Sequence, residues 1–156
     1  MEIREAKQED VEELFKLKLK LKNQDKEVDS YLRPVNEVKE MYKRYLIYDL
    51  KRKDNDRITL VAVKDKEIIG CIRGTLTKTL HVLNVKLRGT IDNLYIEEKY
   101  RGNDIAKKLI EELIKWFKKE NVDVMTLHVY PSNAKAISLY KKFGFKEYTV
   151  NLNRKL

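Results

Sequence analysis

The stretch of this chain best suited to chemistry is Arg101-Gly102-Asn103-Asp104-Ile105-Ala106, a glycine-bearing turn that opens a helical pattern. A β-prone run, Ile91 to Ile96, leads into it, and helical period begins at Ile105. A strand feeding a helix in this way leaves the first backbone N–H groups of the helix unpaired, and the helix dipole adds positive potential there. Together they make an anion site suited to a phosphate or pyrophosphate. A second stretch, Asn133-Ala134-Lys135-Ala136-Ile137-Ser138-Leu139-Tyr140-Lys141-Lys142-Phe143-Gly144-Phe145, has the same strand-to-helix setting. If the two preceding strands are neighbours, their ends splay around one cleft. Asp92, His128 and Tyr140 are the titratable side chains that these elements would carry there.

The elements that must position these residues follow from patterning. Ile3 to Ala6 reads as a short first strand. Gln8 to Lys22 carries Val11, Leu14, Phe15, Leu17 and Leu21 mostly at helical steps. Asn23 to Pro34 is polar and reads as a loop, and Asp25, Glu27 and Asp29 on it would attract a cationic amine. Pro34 opens a second helix, Val35 to Lys51. A turn at Lys53 to Asp56 precedes a hairpin, Ile58 to Val63 and Ile68 to Leu76. Residues 77 to 88 are β-prone without clear bounds, and His81 within them carries no signal. A fourth strand ends at Ile96. A helix from Asn103 to Glu120 has Ile105, Leu109, Ile110, Leu113, Ile114 and Phe117 on one face. The strand Val124 to Tyr130 and a helix N-capped by Ser132 or Asn133 follow, with Gly144 as C-cap. Phe145 to Leu156 supplies one or two final strands. Met41 and Met125 are expected in the core, Cys71 as a small buried residue and Trp116 in packing. This order predicts an α/β fold of one domain, 1–156, with a mixed sheet and helices on both faces.

Bulk properties narrow the function class. The 156 residues can bury a real core, and 42% hydrophobic with 38% charged content describes a globular chain with a charged surface. No run of about 18 apolar residues exists and the N-terminus lacks an apolar signal core, so neither a membrane partner nor export is expected, and a cytoplasmic location follows by default. A single cysteine excludes an intramolecular disulfide and a thiolate-rich metal site, and no metal is expected. The net charge of +9 suits a polyanion, but the basic residues are spread along the chain and no arginine-rich aromatic platform appears, so nucleic acid is not the expected partner.

The element order and the two turn-to-helix stretches resemble the GNAT superfamily of N-acetyltransferases over essentially the whole chain. The family's signature, Arg/Gln-x-x-Gly-x-Gly/Ala, aligns with Arg101 to Ala106. Leu94-Tyr95-Ile96 looks like its Leu-x-Val strand, and Asn133, Leu139-Tyr140 and Gly144-Phe145 look like its second motif. The resemblance implies a GNAT fold and acetyl-CoA as the acetyl donor, with direct transfer to a primary amine in a ternary complex. It implies that the Leu94-Tyr95-Ile96 strand binds the pantetheine arm through Leu94 and Ile96. It further implies that backbone N–H groups from Arg101 through Gly102, Asn103, Asp104 and Ile105 to Ala106 cradle the pyrophosphate, that Asn133 contacts the arm and that Tyr140 sits by the thioester sulfur. Acyl transfer to an amine needs oxyanion donors, an acid for the leaving thiolate and a base for the ammonium. Tyr140 is the candidate acid, Asp92 the first candidate base and His128 the second. The acceptor is a small-molecule or protein amine, and a homodimer formed through the terminal strands is left open. One position departs from the signature: Asp104 stands where it has its central glycine. Asp104 either caps the helix or weakens CoA binding. The second outcome would make the chain a CoA-binding sensor or adaptor without turnover. A basic nucleic-acid-associated module is the remaining alternative.

Overall fold

The computed structural model describes residues 1–52, 54–80 and 82–155; the expectations that touch Lys53, His81 and Leu156 lie outside the described residues. Five strands, β1 (Glu2–Glu5), β2 (Arg57–Lys64), β3 (Glu67–Lys78), β4 (Leu87–Ile96) and β5 (Val124–Leu127), form one sheet in the order β1-β2-β3-β4-β5. The first four pair antiparallel in succession, and β5 joins β4 in parallel. A single 3₁₀ turn (Gln8–Asp10) leads into α1 (Val11–Val28), which with α2 (Val35–Lys51) packs on one face. Helices α3 (Ile105–Lys119) and α4 (Ala134–Lys142) cover the other. This is the mixed α/β sheet that the patterning predicts.

Each face has its own core. Leu14, Leu17 and Leu46 meet Val61, Ile68, Cys71 and Tyr95 under α1 and α2. Ile105, Leu109, Ile110, Leu113 and Phe117, one stripe of α3, meet Leu60, Ala62, Ile69, Ile72 and Ile91. Helix α3 approaches the sheet closely where β4 carries Gly89: a Cβ there would lie 2.6 Å from Phe117 Cε1 and 2.7 Å from its Cδ1. Gly89→Ala is therefore predicted to lower stability by about 1–3 kcal/mol through overpacking. An unchanged denaturant midpoint would reject that close approach.

The buried carboxylate of Asp10 ties β1 to the start of α1. Arg4 Nη1 donates to its Oδ2 at 2.7 Å and Nη2 to its Oδ1 at 2.9 Å, while the Lys7 N–H donates to Oδ2 at 2.6 Å. The Arg4 guanidinium foremost, then the Lys7 N–H, hold this carboxyl below its usual range against the opposing effect of burial. A carboxyl depressed in the folded state contributes stability above its unfolded value near 4 and loses it as pH falls through the folded value. Asp10→Asn should flatten the acid limb of a Tm–pH profile; an acid limb parallel to that of the parent would contradict this.

Four expectations need correction. Helix α1 does not stop at Lys22 but runs to Val28, because residues 23–28 contain no glycine or proline and Lys22 pairs with Asp25 at 2.8 Å across one turn. The loop is only 29–34. Strand β5 ends at Leu127, three residues early, since its ladder with β4 stops at Ile91↔Leu127. Residues 145–155 enter no ladder. Phe145 packs edge-on against Tyr140 with ring centroids 5.7 Å apart, but Tyr148, Val150 and Leu152 beyond it face solvent. Met41 lies on the exposed side of α2, while Met125 packs against the core. Cys71 is buried and Trp116 packs beside Phe117, as expected.

Candidate functional site

The cleft is built where β4 outlasts β5. Their pairing ends at Ile91↔Leu127, yet β4 continues to Ile96 bonded only to β3. Asp92 and His128 are the first residues beyond that last pair. The Glu97 N–H donates to Ile69 O of β3 at 2.9 Å. By strand alternation the backbone groups of Tyr95 also turn to β3, whereas those of Leu94 and Ile96 turn to the open gap. Of the three strand residues expected to meet a cofactor, Leu94 and Ile96 thus face the cleft. Tyr95 buries its ring under α1.

A β-bulge interrupts β4 at Asn93 and Leu94. The register passes from Cys71↔Tyr95 to Arg73↔Asp92, so Asn93 and Leu94 stand opposite the single residue Ile72. Asn93 takes φ +52°, a left-handed conformation that asparagine tolerates better than most residues. The bulge inverts the strand's alternation. Ile91 faces α3 before it; after it Leu94 and Ile96 face α3 and Tyr95 faces α1. The asparagine within an otherwise β-prone run is the one sequence signal for this feature.

The turn after β4 is held by its own side chains. Arg101 Nε donates to Ile96 O at 3.1 Å, and its guanidinium lies 5.5 Å from the centroid of the Tyr95 ring. Asn103 Nδ2 donates to Tyr100 O at 3.1 Å and to Arg101 O at 3.3 Å. Gly102 has φ +84° and a Cβ there would meet nothing within 4 Å, so backbone conformation, not space, calls for glycine. Asp104 is the N-cap of α3 with φ +55° and ψ +13°, again left-handed, and its side chain makes no capping hydrogen bond. The first intrahelical bond runs from Lys108 N to Asp104 O at 3.0 Å. The N–H groups of Ile105, Ala106 and Lys107 precede it and point out of the helix end. Residues 101–104 are exposed, and the first turn of α3 holds no acidic side chain.

Tyr140 on α4 is buried to 9% exposure, and its hydroxyl has no hydrogen-bond partner among the described residues. Burial pushes its pKa up to about 12. Asn133 is the N-cap of α4, its Oδ1 accepting from the Ala136 N–H at 3.2 Å, which leaves its amide donors free. His128 is exposed. Asp92 is engaged: Thr75 Oγ1 donates to its Oδ2 at 3.1 Å, and Arg73 Nη1 lies 3.7 Å from the same oxygen. Arg73 also pairs with Asp49 of α2 at 2.8 Å, and Arg57 pairs with Asp49 at 2.7 Å. This ionic network under α2 is absent from the sequence reading, since its members lie on four separate elements.

Of the acidic residues Asp25, Glu27 and Asp29, Asp25 is taken by Lys22 and Glu27 is exposed with no partner among the described residues. Asp29 accepts from Tyr31 N at 2.9 Å and from Tyr130 Oη at 2.9 Å, joining the α1–α2 loop to the chain after β5. Burial first, then Asp29, pushes the Tyr130 pKa up to about 12. A half-open recess of about 290 Å³ near the C-terminal ends of α2 and α3, lined by residues such as Arg52, Arg57 and Trp116, contains none of the candidate residues.

Residues 20–145 match the model of the acetyltransferase (GNAT) family. The chain is 39% identical over 93 residues to N-alpha-acetyltransferase 30 of Saccharomyces cerevisiae, an alignment covering 56% of this chain and 51% of that protein. The chain thus spans about half the length of that curated relative. The F44R mutant of the BH1408 protein from Bacillus halodurans has the same fold, with a TM-score of 0.88 at 24% identity, covering 100% of this chain and 99% of that one. A predicted acetyltransferase from Clostridium acetobutylicum, solved with acetyl-CoA, superposes with a TM-score of 0.73 at 22% identity, covering 97% and 95%.

Proposed function

Since the chain belongs to the acetyltransferase (GNAT) family, we propose that it transfers the acetyl group of acetyl-CoA to the α-amine of a protein or peptide N-terminus. The single observation that carries the chemistry is the gap between β4 and β5. One strand presents unpaired backbone groups there at a bulge, and an uncapped helix N-terminus stands one turn further on. The pantetheine arm would extend β4 by strand-like bonds to Leu94 and to the N–H of Ile96, whose carbonyl already accepts from Arg101. The N–H groups at the start of α3, with Gly102 and Asn103 shaping the turn, would take the pyrophosphate. The α-amine acceptor is supported by the name of the yeast relative, and a small-molecule amine is the competing acceptor.

The reaction asks three things of these residues. The amine nitrogen bonds to the thioester carbonyl carbon, and backbone N–H groups at the β4 bulge would hold the oxygen as charge builds on it. The carbon–sulfur bond then breaks; Tyr140, kept protonated by its burial, would give its proton to the departing thiolate, and the phenolate left behind would take the proton that the acylated nitrogen must lose. The attacking ammonium must first lose a proton. The Asp92 carboxylate is occupied by Arg73 and Thr75, which weakens it as a base, so the exposed His128 at the same level of the cleft is the better acceptor, working through water. Asn133, with its oxygen committed to the helix cap, would offer its amide N–H to the arm.

Calorimetry with acetyl-CoA and a thiol-release assay on a peptide and amine panel test the proposal. Acetyl-CoA should bind, and free thiol should appear with peptides. Failure to bind acetyl-CoA would sink the whole reading. Binding without turnover on any amine would favour a sensor, and turnover confined to small amines would replace the acceptor alone.

A further inference from the structure

The stripe that α1 turns to the sheet includes Leu14, Leu17 and Leu21. Steps of three and four from Leu14 put position 18 on the same stripe, and a lysine stands there. Lys18 is half-buried, and desolvation depresses its ammonium below the usual lysine range. The charged and titratable groups acting on it are Cys71, Arg73, Asp49 and Lys22. Cys71 and Arg73 flank the β4 bulge across β3, so Lys18 lies over the place where the proposed acetyl transfer occurs.

No carboxylate among the described residues comes within ion-pair distance of Lys18. Asp49 is shared between Arg57 and Arg73, Asp92 between Arg73 and Thr75, and Asp25 belongs to Lys22. Beside it, the Nε of Arg73 is a buried donor without a partner. Only the Arg73 Nε is a buried donor without an acceptor; the half-buried Lys18 ammonium reaches solvent and has no carboxylate partner among the described residues. Buried donors are nearly always satisfied, and an incoming oxygen would serve both groups. A carboxylate fits better than a neutral carbonyl, because a charge-assisted bond is roughly twice as strong and offsets the desolvation of the ammonium. Nearby, Asp25 is engaged by Lys22 and Asp29 by Tyr31 and Tyr130, while Glu27 is exposed and without a partner among the described residues.

Resting on the α-amine reading above, we infer that Lys18 and Arg73 form a carboxylate-recognising pair on the acceptor side, which selects N-termini with an acidic side chain at the first or second residue. Lys18 acts in specificity and takes no part in proton transfer.

The experiment is a thiol-release assay with acetyl-CoA and peptides of one length, with Asp, Asn, Glu, Gln or Lys at the first two positions. The expected result is kcat/KM at least tenfold higher for Asp and Glu than for Asn and Gln, expressed in KM. Lys18→Met should abolish that preference and raise the Tm, since an apolar side chain suits the stripe. Lys18→Glu should turn the preference toward Lys peptides, and Lys18→Arg should keep it toward acids. Acidic and amide peptides used equally well by the parent would overturn the inference while leaving the α-amine reading intact. So would an acid preference that survives Lys18→Met, with an ordered water then satisfying both donors. Acetyl-CoA binding with no peptide turned over would overturn both.

Discussion

The expected result for Tyr140→Phe is a fall in kcat of about 10²–10⁴-fold with little change in acetyl-CoA affinity, the range for loss of a positioned general acid. The prediction rests on an imbalance around this side chain. Its ring is fully employed, buried against the α3-side core and edge-on to Phe145. Its hydroxyl is employed by nothing among the described residues. The hydroxyl oxygen reaches solvent, so phenylalanine at this position breaks no hydrogen bond within the described residues. Tyr140→Phe should therefore fold as well as the parent, which separates a catalytic loss from a structural one. With the phenol pushed up to about 12, its proton stays in place as pH rises. The kcat profile should show no alkaline decline from this group below about pH 11. A variant with unchanged kcat, or an alkaline limb near pH 8 that vanishes in Tyr140→Phe, would remove Tyr140 from the role of acid.

Asp104→Gly is predicted to act twice, on stability and on cofactor binding. At φ +55° an aspartate bears a steric penalty that glycine does not, and because its carboxylate caps nothing there is no compensating bond to lose. Relief of about 1 kcal/mol, seen as a higher denaturant midpoint, is expected. The second effect is electrostatic. One negative charge about 6 Å from two pyrophosphate charges in a watery setting costs about 1.4 kcal/mol, or tenfold in Kd. Acetyl-CoA should bind about tenfold more tightly to the variant, and the gain should shrink in high salt. Tighter binding that persists unchanged at 1 M salt would point to backbone relief, not charge. No change in either quantity would mean that Asp104 neither strains the turn nor faces the phosphates. The left-handed backbone also explains how the loop keeps its shape without its second glycine: aspartate is among the few side chains that enter that region at modest cost.

Much of the fold was legible because its signals are local. Helix α2 has the bounds that Pro34 and its apolar spacing predict, Val35 to Lys51. The buried stripe of α3 is the one that periodicity marks, apart from Ile114, which is half-buried. The turn at 101–104 and the cap at Asn133 were legible for the same reason, since turn chemistry is written in neighbouring residues. What escaped depends on distant partners. The end of α1 was misplaced because polar composition reads as loop, whereas here Lys20 reaches Glu97 at 2.5 Å and holds that part of the helix against the end of β4. One or two terminal strands were expected over Phe145 to Leu156, but although Tyr148, Val150 and Leu152 alternate there, a strand needs another strand to pair with, and among the described residues none lies beside them. The Asp49–Arg73–Asp92 network needs α2, β3 and β4 brought together before it exists at all. Lys18 was hidden differently: the stripe reads from its apolar members, Val11, Leu14, Phe15, Leu17 and Leu21, and only the burial shows the lysine to be part of that face.

The bulge at Asn93 has a consequence for how this strand can change length. It acts as a parity switch: residues before it count odd and even one way, residues after it the other. Removing Asn93 would take out the extra residue, so that Leu94 follows Asp92 in plain alternation, with Leu94 and Ile96 still toward α3 and Tyr95 still toward α1. Both cores and the pairing with β3 would be kept, while the backbone irregularity beside the gap would be lost. A deletion at Asn93 is thus expected to fold and to show its effect in acetyl transfer.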